Sequence, residues 1–420
     1  MMKTDETTAA GEVGTSSAGP AKASATDRTI PAGIWALGFV SMLMDISSEM
    51  IHALLPVYMV AVLGTSTLTV GIVEGVAEAT ASITKVFSGA LSDWLGKRKV
   101  LAALGYGLAA CTKPVFPLAT SIDWLVAARF IDRIGKGIRG APRDALIADI
   151  APQHLRGTSF GLRQSLDTIG AFLGPLLAIG LMWLTPDHFQ TVFWIAVLPA
   201  FLSVGLILVA VREPERPTRL RQVRMPLRRD ELGRLGTVYW WVVAVATVFT
   251  LARFSEAFLI LRARSIGLPL AFVPVVLVVM NLAYALSAYP VGRLSDRMDR
   301  PSILKLGLAL LLLADLVLAF ASDIIGVGLG VALWGLHMGF TQGLLATVIA
   351  GATPAELRGT GFGVFNLVTG LAQLLASIIA GALWDAAGPQ GTFLAGAMCV
   401  MATVAGLLFA QDRLKVINHS

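Results

Sequence analysis

The chain has 420 residues, 55% of them hydrophobic and 14% charged, with a mean hydropathy of +0.74 and a formal net charge of +6. That balance excludes an ordinary water-soluble domain and leaves length for about twelve apolar spans of roughly 20 residues each. The surplus Lys and Arg lie in loops on alternate sides of the apolar runs, so they reflect membrane topology and exclude a nucleic-acid surface.

Residues 1–31 are rich in Ala, Thr, Ser and Gly and lack an apolar core, which predicts a disordered tail and no signal peptide. Apolar periodic segments follow at 32–62, 68–91, 99–119, 122–149, 159–184 and 190–211. After a charged linker they resume at 237–262, 270–291, 302–321, 324–350, 360–384 and 391–411. The expected fold is therefore all-α and integral to the membrane, with twelve transmembrane helices. The units are a tail (1–31), a six-helix bundle (32–211), a linker (212–236), a second six-helix bundle (237–411) and a tail (412–420).

Loop charge orients the spans. Lys97, Arg98 and Lys99 follow the second span, Arg156 the fourth, and eight arginines from Arg212 to Arg234 fill the linker. The opposite loops at 63–68, 120–122, 185–190, 321–324 and 385–391 contain no Lys or Arg. Both termini and the linker are expected on the cytoplasmic side of the cell's inner (plasma) membrane. Arg262 and Arg264 stand at the outer end of span seven, where snorkelling is expected. Cys111 and Cys399 sit in apolar runs and suit small packers better than a disulfide or a metal cluster.

Two motifs recur at nearly one offset. Gly89–Val100 reads GALSDWLGKRKV, and Gly292–Arg300 reads GRLSDRMDR, with Asp93 and Asp296 lying 203 positions apart. The run from Leu155 to Gly161, LRGTSFG, returns from Leu357 to Gly363 as LRGTGFG. A shared offset means that the second half copies the first, as in secondary transporters built of like bundles.

The duplicated plan with GxLSD loops after spans two and eight resembles the major facilitator superfamily over residues 32–411. The resemblance rests on Gly89, Leu91, Ser92, Asp93, Gly96, Lys97 and Arg98, and again on Gly292, Asp296 and Arg297. In that family this loop latches the cytoplasmic ends of the two halves, which implies a gating role for these residues. In span five, Gly161, Gly170, Gly174 and Pro175 are similar to the pattern of the drug/proton antiporter branch. Physically, the glycines let a neighbouring helix approach closely and Pro175 imposes a bend.

Charged groups inside spans are costly and mark functional sites. In span one, Asp45, Glu49 and His52 fall within about a 60° arc of one helical face. Span two carries Glu74, Glu78 and Lys85, and span four carries Arg129, Asp132, Arg133, Lys136, Arg139, Arg143 and Asp144. Arg139, Arg143 and Asp144 lie late enough to reach headgroups. Arg129, Asp132 and Arg133 do not. Arg129 matches the family arginine linked to proton coupling, with Asp45, Glu49, Glu74 and Glu78 as candidate carboxylates. An arginine that pairs with a cavity carboxylate on one side of the cycle alone would tie proton affinity to access side. In the second half, Arg253 and Glu256 at i, i+3 suit mutual pairing, while Asp315 and His337 stand alone. Tyr284, Trp334, Asn366 and Gln373 are candidate cavity groups.

The expected function is a secondary active transporter, a proton-coupled antiporter exporting a small molecule by alternating access, working as one chain with lipid as its solvent. No cofactor or resident metal is expected. Alternatives are export of a divalent cation by Asp45, Glu49 and His52, or uptake of a small anion cradled by Arg129, Arg133 and Lys136. A non-transporting scaffold finds no recognisable module in tail or linker. Nor is there a nucleotide loop, nucleophile elbow or protease motif, so an enzyme is excluded.

Overall fold

The apolar runs become helices, because within hydrocarbon every backbone N–H and C=O must be satisfied inside its own segment. The computed structural model describes residues 29–95, 97–152, 155–185, 188–213, 232–295, 300–354 and 357–418. The expected tail before residue 29 and most of the linker lie outside the described residues. The first half contains α1 (Ala32–His52), α2 (Leu55–Val57) running into π-helical Tyr58–Val62, α3 (Thr67–Leu95), α4 (Arg98–Thr112), α5 (Val115–Leu118), α6 (Ile122–Ile150), α7 (Arg156–Leu184) and α8 (Phe189–Ala210). The second half contains α9 (Thr237–Ala252), α10 (Ala257–Ser265), α11 (Val275–Ser295), α12 (Arg300–Phe320), α13 (Ile324–Ala352) and α14 (Arg358–Asn418).

Among the described residues, nine runs are long and apolar enough to cross a membrane. Helices α3 and α6, at 29 residues each, are not among them because of their charged side chains. The last two expected spans form α14, whose helical geometry breaks at Gly388, φ 71°, just before Pro389. Only a residue without Cβ enters that left-handed region without strain, and the proline cannot donate to the preceding turn.

Helix α1 packs on α7 and α8, α4 on α6 and α8, and α3 on α6. In the second half α9 packs on α14, α11 on α13, and α12 on both α13 and α14. The halves meet chiefly through α3 against α14 and α7 against α11. The outer wall is apolar: Trp183 and Leu184 are each 70% exposed, Ile325 83% and Val209 85%. In water such a surface would aggregate; in a bilayer it faces its own solvent.

Small residues bring α3 onto α14. A Cβ on Gly75 would come within 2.9 Å of the Leu374 carbonyl, and one on Gly370 within 2.9 Å of Ser82 Cβ. At the end of the bundle that carries Thr67, the Asp385 carboxylate accepts from Leu68 N (3.0 Å), Thr67 N (3.2 Å) and the Thr67 hydroxyl. A carboxylate from one half thus caps the positive end of a helix from the other.

One apolar cluster, containing Met50, Tyr58, Phe193, Phe258, Leu277 and Trp334, spans both halves near this end. Three smaller clusters each stay within one half: one around Leu37, Tyr106 and Leu146, one around Tyr239, Ile349 and Val364, and one around Val291 and Ile303. At the Asp385 end the halves are held against each other by α3 and α14.

Two expectations need correction here. Arg262 does not snorkel: it is buried and donates to the carbonyls of Leu318 (2.8 Å) and Ala321, the frayed carboxyl end of α12. Cys111 is no packer either; its side chain is exposed on α4.

Gly75→Leu should wedge α3 away from α14, and Asp385→Asn should weaken the Asp385 cap more gently. In a Cys111→Ser background, each is expected to raise severalfold the maleimide reactivity of a cysteine placed at buried Ser377, followed by mass spectrometry. Unchanged labelling would show that these contacts do not hold this end shut.

Candidate functional site

Two spans break at the middle of the molecule. In the first, α1 ends at His52 because Pro56, four residues on, has no N–H to offer the His52 carbonyl and its ring crowds that oxygen. In the second, α9 stops at Ala252 and α10 starts at Ala257. Ser255 secures that gap: its Oγ accepts from Ala257 N (3.2 Å) and its N donates to Ser377 Oγ (3.3 Å). His52 and Ser255 lie 203 residues apart, the offset of the internal repeat. Broken helices of related position facing a central site are the pattern of repeat-built transporters.

Between the breaks lies a cavity of about 530 Å³. The first half contributes Glu49, His52, Glu74, Glu78, Arg133 and Lys136; the second contributes Arg253, Glu256, Asn281, Trp334 and Gln373. Tyr284 and Asn366 do not line it. Asn281 ties the halves at its edge by donating to the Ala171 carbonyl (3.2 Å).

The carboxylate that meets Arg129 is Glu74. Arg129 Nη2 donates to Glu74 Oε2 at 2.8 Å, with both side chains about 2% exposed. His52 Nε2 stands 3.6 Å from the same oxygen, and its Nδ1 stands 3.5 Å from Glu49 Oε2. Glu74 Oε1 is buried without a hydrogen-bond partner. One turn along each helix the pairing repeats, with Arg133 Nη1 donating to Glu78 Oε1 at 3.1 Å. Arg133 Nε is 3.6 Å from Asp132, whose other oxygen accepts from Lys113 Nζ at 2.9 Å. Lys113 also donates to Ser48 Oγ (3.0 Å). Thus α1, α3, α4 and α6 are joined by one ladder of opposite charges.

Lys113 is absent from the expected site residues. Its signal was in plain view as the one cation within the apolar run 99–119 beyond its basic start.

Asp45 parts company with Glu49 and His52. It faces Arg139 at 4.0 Å, and Arg139 lies over the Tyr106 ring at 4.9 Å. Beside it Arg143 reaches Ser41, Asp144 (3.1 Å) and Asp167 (3.9 Å), while Arg163 pairs with Asp167 at 2.8 Å. Arg139 and Arg143 therefore do not snorkel to headgroups, because partners on α1 and α7 hold them inside. Asp167 and Arg163 were also missing from the expected set. Among the described residues, no three His, Cys, Asp or Glu side chains are grouped so as to hold a metal ion.

The span-five glycines set how close this apparatus sits. A Cβ on Gly170 would come within 2.7 Å of the Met42 carbonyl and 3.0 Å of Asp45 Cβ. One on Gly174 would come within 2.7 Å of Glu49 Cβ. These two positions let α7, which continues through Pro175, lie against the acidic face of α1.

Of the loop motif, Gly96, Asp296 and Arg297 lie outside the described residues, as do the side chain of Asp93 and the surroundings of Gly292. Gly89 approaches Ala141 on α6, and Lys97 is exposed. The partners of Arg98 among the described residues belong to its own half: Asp149, the Ala145 carbonyl, and Glu213, which accepts from its backbone N–H.

In the second half, Arg253 and Glu256 do not satisfy each other, since no oxygen of Glu256 lies within ion-pair reach of the guanidinium. Arg253 lies over the Phe249 ring at 5.5 Å instead. Asp315 and His337 are fully buried, and neither the two oxygens of Asp315 nor the two ring nitrogens of His337 have a hydrogen-bond partner.

Membrane-length helices in two groups, sealed at one end around a charged central cavity, define a membrane transporter and not an enzyme. The chain belongs to the Major Facilitator Superfamily, whose profile matches residues 37–377 and 244–418. It is 33% identical over 390 residues to an uncharacterised MFS-type transporter of Methanocaldococcus jannaschii, covering 91% of this chain and 95% of that one. It is 25% identical over 400 residues to the inner membrane transport protein YajR of Escherichia coli, covering 89% and 82%. The fold matches that of the nucleoside transporter NupG with a TM-score of 0.73 at 14% identity, over 89% of this chain and 99% of that one.

Removing one member of a buried pair leaves an uncompensated charge, whereas removing both does not. Arg129→Ala is expected to cost about 3–5 kcal/mol of stability, while the double variant Arg129→Met, Glu74→Leu should recover most of it. Asp315→Asn, where no partner is lost, should leave the melting temperature almost unchanged. Thermal melting in detergent checks all three.

Proposed function

We propose that this transporter is a proton-coupled antiporter that exports a small molecule from the cytoplasm, acting as a single chain with both termini inside the cell. One observation carries this: Glu49, His52 and Glu74 line the cavity that lies between the two halves, and Arg129 pairs with Glu74 from behind that wall. An ion pair that forms in one orientation and loosens in the other changes how tightly its carboxylate holds a proton. Rocking of the halves would then bind a proton on one side and release it on the other.

Three features support the direction and the setting. The span-five glycine pattern is similar to that of drug/proton antiporters. In the sequence the Lys- and Arg-rich loops alternate with loops free of them, as cytoplasmic loops do. YajR, which matches most of the chain, is an inner membrane protein.

The anion-uptake alternative is weakened because Arg129 and Arg133 already face Glu74 and Glu78. The divalent-cation alternative is weakened because Asp45 turns away from Glu49 and His52 toward Arg139.

The test uses inverted vesicles with a preset pH gradient followed by a dye, to which drugs, metal ions, dipeptides and organic acids are added singly. A transported compound should collapse the gradient with the intact protein. Glu74→Gln and Glu49→Gln should each lower that rate at least about 100-fold, the lower end of the range for loss of a proton-transferring group, and Arg129→Ala should lower it too. Accumulation of labelled solute with no proton movement in the intact protein would overturn the proposal.

A further inference from the structure

We infer that the ligand of this cavity is a small zwitterion, a molecule of dipeptide size bearing both a protonated amine and a carboxylate. The inference rests on the cavity being the transport site and is independent of proton coupling.

It comes from pairing off the charges that line the wall. Four carboxylates face it, those of Glu49, Glu74, Glu78 and Glu256, against the fixed cations Arg133, Lys136 and Arg253 and the imidazole of His52. Within the first half Glu74, Glu78 and Glu49 already have cationic or imidazole neighbours at 2.8, 3.1 and 3.5 Å. Three charges remain with neither an ion pair nor a hydrogen bond from the described residues. They are Lys136 on α6, which is exposed to the cavity, and Arg253 and Glu256 at the break between α9 and α10. Glu256 sits at the amino end of α10 without making a side-chain capping bond there, so its oxygens are free for a ligand.

A ligand whose charges oppose these three is selected and oriented by electrostatic complementarity. A simple cation could satisfy Glu256 and would meet Lys136 and Arg253 as repulsion. A simple anion could satisfy the two cations and would meet Glu256 likewise. A zwitterion matches both signs. Because Lys136 belongs to one half and Glu256 to the other, it also bridges the parts that must move together during alternation. Between these poles Phe254, Trp334 and Phe365 supply an apolar and aromatic surface for a side group. A volume of about 530 Å³ accommodates a dipeptide with some water.

The test is isothermal titration calorimetry on the purified full chain in detergent at neutral pH, with no gradient present. The probes share one scaffold: free phenylalanyl-alanine, its N-acetyl form (an anion) and its carboxy-terminal amide (a cation). The free dipeptide is expected to bind at least tenfold more tightly than either derivative. Glu256→Gln should abolish its advantage over the N-acetyl form, and Lys136→Gln with Arg253→Gln its advantage over the amide. Lys136→Arg, which keeps the charge, should retain the wild-type order. Thermal melting verifies folding of each variant, and the wild-type order decides on its own should one fail to fold. If either derivative binds as tightly as the free dipeptide, or if none of the three binds, the inference is overturned. Should the binding order hold while the vesicle dye stays silent, proton antiport alone falls. Should organic cations move protons while the dipeptide does not bind, the zwitterion alone falls.

Discussion

An ion placed in hydrocarbon must find a partner or leave, and the architecture of the first half follows from that constraint. Glu74, Glu78, Arg129, Asp132, Arg133 and Lys113 come from three helices, and each could be buried only where another supplied the opposite charge. The ladder sets which faces of α3, α4 and α6 look inward, while apolar residues such as Phe87 on α3 and Trp124 on α6 stay exposed on their other faces. Apolar helices such as α7 and α8 can then form the outer wall, with side chains that no water-soluble surface would tolerate.

Close approach complements charge. Where Gly170 and Gly174 meet α1 and Gly75 meets α14, backbones touch at distances that any larger residue would prevent. Without a hydrophobic force between helices in lipid, such contacts and the few polar bonds across the interface do the holding. They differ in kind. The contacts of α7 with α1 join helices of one half, whereas those of α3 with α14 join the halves and must slide or open if access alternates. The Asp385 carboxylate over the amino end of α3 is the polar counterpart of that second contact, and its bonds can exchange for water when the end opens.

The division of the core fits the same picture. One apolar cluster spans both halves, while three smaller ones each lie within a single half. The broken spans at His52 and at Arg253–Glu256 lie where that division begins. Backbone freed from helical bonding is tolerated there because it borders a polar cavity instead of lipid.

The sequence by itself determined the helical class, the near-positions of the spans, the internal duplication and the concentration of charge in the first half. Those are properties of local composition and periodicity. The Asp93 and Asp296 loops and the 203-residue offset are equally legible in one dimension. Which charges meet was decided only by the tertiary structure. Asp45, Glu49 and His52 share a helical face by arithmetic, yet Asp45 turns to Arg139 while His52 turns to Glu74, because α6 and α3 cross α1 at different depths. Lys113 is visible in the sequence as a lone cation in an apolar run, but its partner Asp132, like the Arg143 that faces Asp167, is supplied only by tertiary packing. Arg253 and Glu256 make the converse case. Helical spacing would pair them, but the helix stops at Ala252, before both, and leaves them in the break facing the cavity.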